Sequence, residues 1–447
     1  MFEKNERKFS TGRAPKKLVA GKFHTGSSKQ SRTKEQSVAQ ARPIRRALTL
    51  DEKKQQLTAW AENEKIPGKI QAWFTKDAQS DHSDWRILNK LVDGHESISL
   101  ESPAKDMPAP ECVQKILEQL HKEHLRPFKR ALRQIWFRAT GDGRFAMLIQ
   151  ANLHGSTTAH ASKTFLEFVE RFHPEIISCH QLRCTPNYLF DPTKPLNMRV
   201  EAKAVFGSDF MPLSSTGLSM HVLDWAPKIK DAWLEFPQRI RDAIHPAPGD
   251  KFFEFFSGSS FVSASLSNDF ERIDALDCRE TAMLSTKHNA RTLLEDNLRF
   301  HRAHLEPAFL EKFFSKDENE GRWTFYLNTG SDTTFNAELA QAIASSRPER
   351  ILLQTSDLEN AAKEIKRFRD KGYMLRKTIP LDLEPGTAGF ELLMLFVPDR
   401  AGLLGGFGAK KAGKRPVQRP VERVTPQNRG DIPHFVQKSS PRRQRKD

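Results

Sequence analysis

The chain has 447 residues, too many for one ordinary core, and 38% of them are hydrophobic, so two or three folded units are expected. Its 71 Lys+Arg outweigh 56 Asp+Glu, giving a net charge of +15 and a pI near 9.6, which makes polyanions the natural partners. The longest apolar run, residues 392–397, is far shorter than the roughly 20 residues of a membrane span, and the charged start Met1-Phe-Glu-Lys-Asn-Glu-Arg has no signal-peptide core. Four cysteines do not make a disulfide framework, and the close pair Cys179 and Cys184 matches no zinc or iron–sulfur spacing. The expectation is a cytoplasmic protein with reduced thiols, no membrane segment, no metal and no iron–sulfur cluster.

The charge is segregated. Residues 1–55 hold 15 basic and 5 acidic residues, residues 401–447 hold 12 and 3, and the body between is mildly acidic. Clusters such as Gly12-Arg-Ala-Pro-Lys-Lys, Arg42-Pro-Ile-Arg-Arg and Arg442-Arg-Gln-Arg-Lys lie among Ser, Gln and Gly. With so little apolar surface to offset ordering entropy, 1–55 and 399–447 read as disordered basic arms suited to nucleic-acid phosphates.

Residues 56–110 read as a linker, partly helical around residues 57–74 and polar up to Met107-Pro-Ala-Pro. Val113, Ile116, Leu117, Leu120 and Leu125 predict an amphipathic helix over 111–126. Residues 134–139 and 145–151 flank Gly141-Asp-Gly and read as a β-hairpin. A helix near 162–171 and strands over 176–182 and 197–206 complete an α+β unit, placed at 111–245. Arg126, Lys129, Arg130 and Arg133 form a basic patch on it that reads either as an RNA track or as a solvated face.

From residue 246 to 398 the rhythm is strand, loop, helix. Strands are expected over 252–256, 272–277, 322–328, 349–354 and 390–397, with helices over 279–294, 335–345 and 358–372. That alternation predicts an α/β domain, a mostly parallel sheet covered by helices, with ligands beyond the carboxyl ends of its strands. Phe252, Phe253, Phe255 and Phe256 read as core, and His301 with His304 lacks a third ligand for a metal. The small-residue loop Ser257-Gly-Ser-Ser after the first strand lets backbone approach a ligand, and Asp277 at the end of the second can accept two ribose hydroxyls.

Those strand ends carry a resemblance. Glu254-Phe-Phe-Ser-Gly-Ser-Ser-Phe261, Asp277 with Asn289-Ala-Arg291, Pro348-Glu-Arg-Ile-Leu-Leu-Gln-Thr-Ser-Asp, Gly372-Tyr, and Asp382-Leu-Glu-Pro-Gly-Thr-Ala-Gly-Phe-Glu391 follow one another in order. They resemble the motifs of the RNA uracil-5-methyltransferases, class I enzymes that use S-adenosylmethionine (SAM) on tRNA and ribosomal RNA. The family patterns are D-L-F-C-G-x-G-x-F, an acid followed by N-A-R, P-E-R-I-x-Y-V-S-C-N-P, and D-x-F-P-H-T-x-H-V-E. The resemblance covers about 111–398 and is firm over 250–398. It implies a Rossmann-like class I methyltransferase domain behind an α+β domain. It further implies SAM as cofactor, with Glu254, Gly258, Asp277 and Asn328 at the cofactor positions, and Glu391 at the base that removes the C5 proton.

The departures fall on the chemistry. The family's cysteine attacks C6 of uracil; Thr355 is taken to stand at that position, and its hydroxyl is a far weaker nucleophile. The family's D-P-P-R is replaced by Asn328-Thr-Gly-Ser-Asp332, its glutamine segment falls in Val222-Leu-Asp-Trp-Ala-Pro, and the histidine of P-H-T is Gly386. Ser260 replaces the loop's second glycine and would be strained if that position needs positive φ. SAM binding and its loss therefore stand as alternatives. The expected function is an RNA-binding protein on this scaffold without uracil C5 methylation, acting as a monomer on ribosomal RNA, in ribosome assembly, or on tRNA. The alternatives are an active SAM-dependent methyltransferase with a changed target atom, Asn328 and Asp332 orienting it, and a protein–protein interaction scaffold.

Overall fold

The computed structural model describes residues 47–399, apart from 68, 77–81, 93–94, 105–106, 186–187, 194–199, 214–216, 294–295, 317–318 and 330–335. The basic segments 1–46 and 400–447, and Asp332, lie outside the described residues. The helix α1 (Leu50–Asn63) begins inside the stretch expected to be a disordered arm. Its start is a capping box: Glu52 N–H donates to Thr49 Oγ1 at 3.2 Å and Thr49 N–H to Glu52 Oε2 at 2.9 Å. Leu57 and, unusually, Lys53 are its buried residues, the latter paired with Asp382 at 2.8 Å.

Residues 56–110 are not a linker. Short strands β1 (Lys69–Ile70) and β2 (Phe74–Thr75) are followed by a long hairpin, β3 (Trp85–Val92) and β4 (His95–Glu101). β3 pairs with β5 (Leu132–Ala139), which follows α2 (Glu111–Leu120) and α3 (Arg126–Ala131). The polar residues that suggested a linker are the outward residues of an outer hairpin, while Trp85 and Ile87 face the core. β6 (Phe145–Ala151) closes on β5 around Gly141-Asp-Gly, α4 (Ser156–Phe172) crosses over, and β7 (Ile176–Arg183) pairs parallel with β6. With β8 (Glu201–Phe206) the order is β4-β3-β5-β6-β7-β8. One face packs on α2 and α4 through Ile116, Phe165 and Ile135. β9 (Phe210–Pro212), β10 (Ser219–His221) and α5 (Asp231–Ile244) lead out of it.

The second sheet begins with β11 (Asp250–Phe255), followed by α6 (Phe261–Ser265), β12 (Arg272–Asp277), α7 (Glu280–Leu293), β13 (Leu298–Arg302) and α8 (Pro307–Phe314). After these come β14 (Arg322–Asn328), α9 (Ala337–Ser345), β15 (Arg350–Thr355), α10 (Leu358–Arg369), β16 (Tyr373–Asp382) and β17 (Glu391–Pro398). Its order is β1-β16-β17-β15-β14-β11-β12-β13, with β2 also on β16. β11 to β15 run parallel, and β17 is antiparallel to both neighbours. From β11 the chain moves one way to β12 and β13, then returns to add β14 on the other side. The switch point, where such sheets bind ligands, is therefore between the carboxyl ends of β11 and β14.

Strands buried on both faces need continuous apolar sequence, and phenylalanine supplies it. Phe253 stacks 4.2 Å from Phe255 and lies 5.0 Å from Phe313 and 5.9 Å from Trp323, one aromatic layer that accounts for part of the chain's 31 phenylalanines. On the opposite face Phe252, Tyr326 and Leu352 share a core with Phe236 and Ile240 of α5 and with Trp136 and Leu148 of the six-stranded sheet. Among the described residues no helix is long and apolar enough to cross a membrane.

Candidate cofactor and base site

At the end of β11, Glu254 is buried, and its carboxylate accepts the Ser263 N–H at 3.0 Å. Burial, opposed by that bond and aided by Asp277, pushes its pKa up to about 8. The chain then turns sharply, with Phe256 at φ 59°, Gly258 at 56° and Ser260 at 54°. Ser260 thus does sit in the left-handed region, buried, with its hydroxyl 2.6 Å from that of Thr286 on α7. Asn289 on the same helix receives the Ser219 N–H from β10 at 2.8 Å and lies 3.4 Å from the Ser259 carbonyl.

Asp277 ends β12 as expected, but both its oxygens are taken. Oδ1 accepts the backbone N–H of Arg279 at 2.9 Å and its Nε at 2.9 Å. Oδ2 accepts Arg279 Nη2 at 2.8 Å and the Gly258 N–H at 2.9 Å. A Cβ added to Gly258 would meet Arg279 Nη2 at 3.3 Å, so the guanidinium lies against the one glycine of the loop. The pair holds the Arg279 pKa above its ordinary value despite burial.

A second group lies at the ends of β14, β15 and β17. Side chains alternate along a strand, and the register sets Glu254, Tyr326, Asn328 and Gln354 on the same face. The Tyr326 hydroxyl donates to Gln354 Oε1, and Gln354 Nε2 donates to Glu391 Oε2 at 2.5 Å. Burial raises the Glu391 pKa to about 7 against the Gln354 hydrogen bond, with Glu384 adding repulsion. Glu384 itself accepts the Lys228 N–H at 2.8 Å, and burial raises its pKa too.

Behind these ends lies a buried ionic junction. Arg138, fully buried on β5, donates to the carbonyls of Val222 at 2.6 Å and Asp224 at 2.7 Å. Lys230 pairs with Asp84, and Ser285 donates to Asp224 Oδ2. Asp224 Oδ1 is buried without a hydrogen-bond partner.

No family model matches the chain. An uncharacterized RNA methyltransferase of Lactococcus lactis subsp. lactis (strain IL1403) is 27% identical over 154 residues, 33% of this chain. The chain spans about a third of that relative's length (32%). Among solved structures, the tRNA (uracil-54, C5)-methyltransferase of Pyrococcus abyssi in complex with S-adenosyl-L-homocysteine superposes with a TM-score of 0.54 at 12% identity, covering 76% of this chain and 81% of that one. The chain is thus similar in sequence to an RNA methyltransferase and in fold to a tRNA methyltransferase. At 12% identity the Pyrococcus structure shows the fold: the Rossmann-like class I methyltransferase architecture, preceded by an α+β unit.

The family's chemistry fits this site less well than its fold does. Thr355, taken above for the nucleophile position, is the last residue of β15 and is in register with Leu392; its hydroxyl accepts the Asp357 N–H at 3.3 Å. Gln354, which holds Glu391, faces the other way, so Thr355 and Glu391 lie on opposite faces of the sheet. Counted residue by residue from Pro348, the family's cysteine falls on Ser356, exposed and just past the strand. The shift of one residue moves a buried hydroxyl to an exposed one. The loop 257–260 and Asp277 lie together at adjoining strand ends, but four donors fill the roughly four lone-pair sites of the Asp277 carboxylate. As these residues stand, a ribose finds no acceptor there.

Neither Arg279, Gln354 nor Tyr326 stood out in the sequence; Arg279's place two residues after Asp277 was the one available signal. His301, set aside as a metal ligand, bonds Asp274 at 2.6 Å, and among the described residues no group of three or more His, Cys, Asp or Glu is placed to hold a metal ion.

Proposed function

We propose that this chain is a cytoplasmic, monomeric RNA-binding protein on a methyltransferase scaffold and does not methylate uracil C5 through a thiolate adduct. What supports the reading is the strand end after β15, where Gln354-Thr355-Ser356 offers hydroxyls and an amide but no thiol. Cys112 and Cys179 are buried, and desolvation raises both thiol pKa values, to about 11 for Cys112. Cys278, just past β12, is an exposed residue whose thiol is still partly desolvated, and that desolvation with the Asp277 charge raises its pKa as well. From β15 to β12 is three strand spacings, about 14 Å, too far to reach the same base. The basic segments 1–55 and 401–447 supply the polyanion affinity, and linkage to the body adds avidity.

A second reading rests on Asn328, Gln354 and Glu391 sharing one face at the ends of β14, β15 and β17: SAM-dependent methylation of a nitrogen or oxygen, which needs an oriented nucleophile and no covalent adduct. Fluorescence anisotropy of the full chain with a structured RNA, across a salt series, tests the first reading. Affinity should fall steeply with salt, and deletion of 401–447 should flatten the slope. No RNA binding even at low salt would point to a protein partner instead. Formation of 5-methyluridine in RNA incubated with the chain and SAM, read after nuclease digestion, would overturn the reading.

A further inference from the structure

We infer that Arg279 is a two-position latch on the cofactor site: on Asp277 it closes the site to SAM, and on Asp224 it opens it. The closed position is the one described, three Arg279 donors and the Gly258 N–H on the two oxygens of Asp277. Two of those donors belong to the guanidinium and can leave together; the two backbone N–H groups, which cap the start of α7 and hold the loop, cannot. Release of the guanidinium would therefore restore acceptor capacity on both oxygens, one on each, which is what a vicinal diol requires. It would also clear the space over Gly258, where Nη2 now rests.

The open position is marked by a different observation. Asp224 is buried, its Oδ2 is held by Ser285, and its Oδ1 has no hydrogen-bond partner. A buried carboxylate oxygen left unpaired is costly, and Asp224 is among the charges that act on Arg279. A guanidinium leaving Asp277 thus has a second carboxylate to go to, on the segment that joins the six-stranded sheet to α5 and not on the cofactor strands. The latch rests on the fold's use of SAM, independently of the RNA reading.

The test is titration of the full chain with S-adenosylhomocysteine by calorimetry, with circular dichroism to confirm folding. Wild type should bind weakly, because its affinity is reduced by the fraction of molecules that are open. Arg279→Ala, or Arg279→Gln if the alanine variant unfolds, should tighten binding by about tenfold or more, and Asp224→Asn should weaken it. Asp277→Asn should weaken binding in the Arg279→Gln background too. Tight wild-type binding that Arg279→Gln leaves unchanged would overturn the latch while keeping the cofactor. No heat from any folded variant would overturn both.

Discussion

Replacement of Lys53 by methionine isolates the contact that ties α1 to the second sheet. The Lys53 side chain is 0% exposed and its ammonium lies 2.8 Å from Asp382, whose side chain is 3% exposed. Methionine keeps the stem's packing and removes the charge, leaving Asp382 with the hydrogen bond to Thr75. Stranding one member of a buried pair costs about 3–5 kcal/mol, whereas exposed pairs such as Lys54 with Asp51 are worth under about 1 kcal/mol. The loss should depend on pH. Burial already raises the Asp382 pKa against the pull of Lys53, and without Lys53 it rises further. A group with a raised folded pKa stabilises the protein at acid pH and loses that contribution as pH climbs. The deficit of Lys53→Met against wild type should therefore be largest near pH 8 and shrink towards about pH 4.5. Urea unfolding followed by circular dichroism measures it, and Lys53→Met combined with Asp382→Leu should recover to within about 1 kcal/mol of wild type. A single-variant loss below about 1 kcal/mol, or one that does not change with pH, would refute the reasoning.

Phe253→Ala, which removes the centre of the aromatic layer, should cost about 3–5 kcal/mol in the same assay. Glu391→Gln should stabilise the protein by about 1 kcal/mol at pH 8, after discounting for its partly exposed edge, and by nothing near about pH 4, because the raised folded pKa costs stability only as pH climbs from the unfolded value, about 4.3, through about 7. Gln354→Leu removes the donor that favours the Glu391 carboxylate, so the Glu391 pKa should rise further, read by carboxyl-carbon NMR titration. Ser356→Ala should leave RNA affinity within twofold of wild type if no covalent step uses that hydroxyl, as anisotropy would register; a loss of tenfold would assign it a role in binding.

What could be read in advance followed from periodicity and order. The apolar runs of β11, β14, β15 and β17 are buried on both faces, and such strands announce themselves. β16 did not: Tyr373-Met-Leu-Arg-Lys-Thr-Ile-Pro-Leu-Asp carries Arg376, Lys377 and Pro380, and it becomes a strand because β17, β1 and β2 pair with it. β3 and β4 were hidden for a related reason, an outer hairpin with one polar face. Glu254, Gly258 and Asp277 came to the expected strand ends, since motif spacing measures strand and loop lengths. Thr355 shows how narrow that guide is, because an offset of one residue reverses the face. The grip of Arg279 on Asp277 was beyond it, since spacing does not say which of several donors an acid will hold.

The core shared by the two sheets has a mechanical consequence. Phe236 and Ile240 on α5 pack with Phe252 and Tyr326 from one sheet and Trp136 and Leu148 from the other, without an interruption at which the halves could part. Because these residues form one continuous core, the two sheets should melt together in a single cooperative transition.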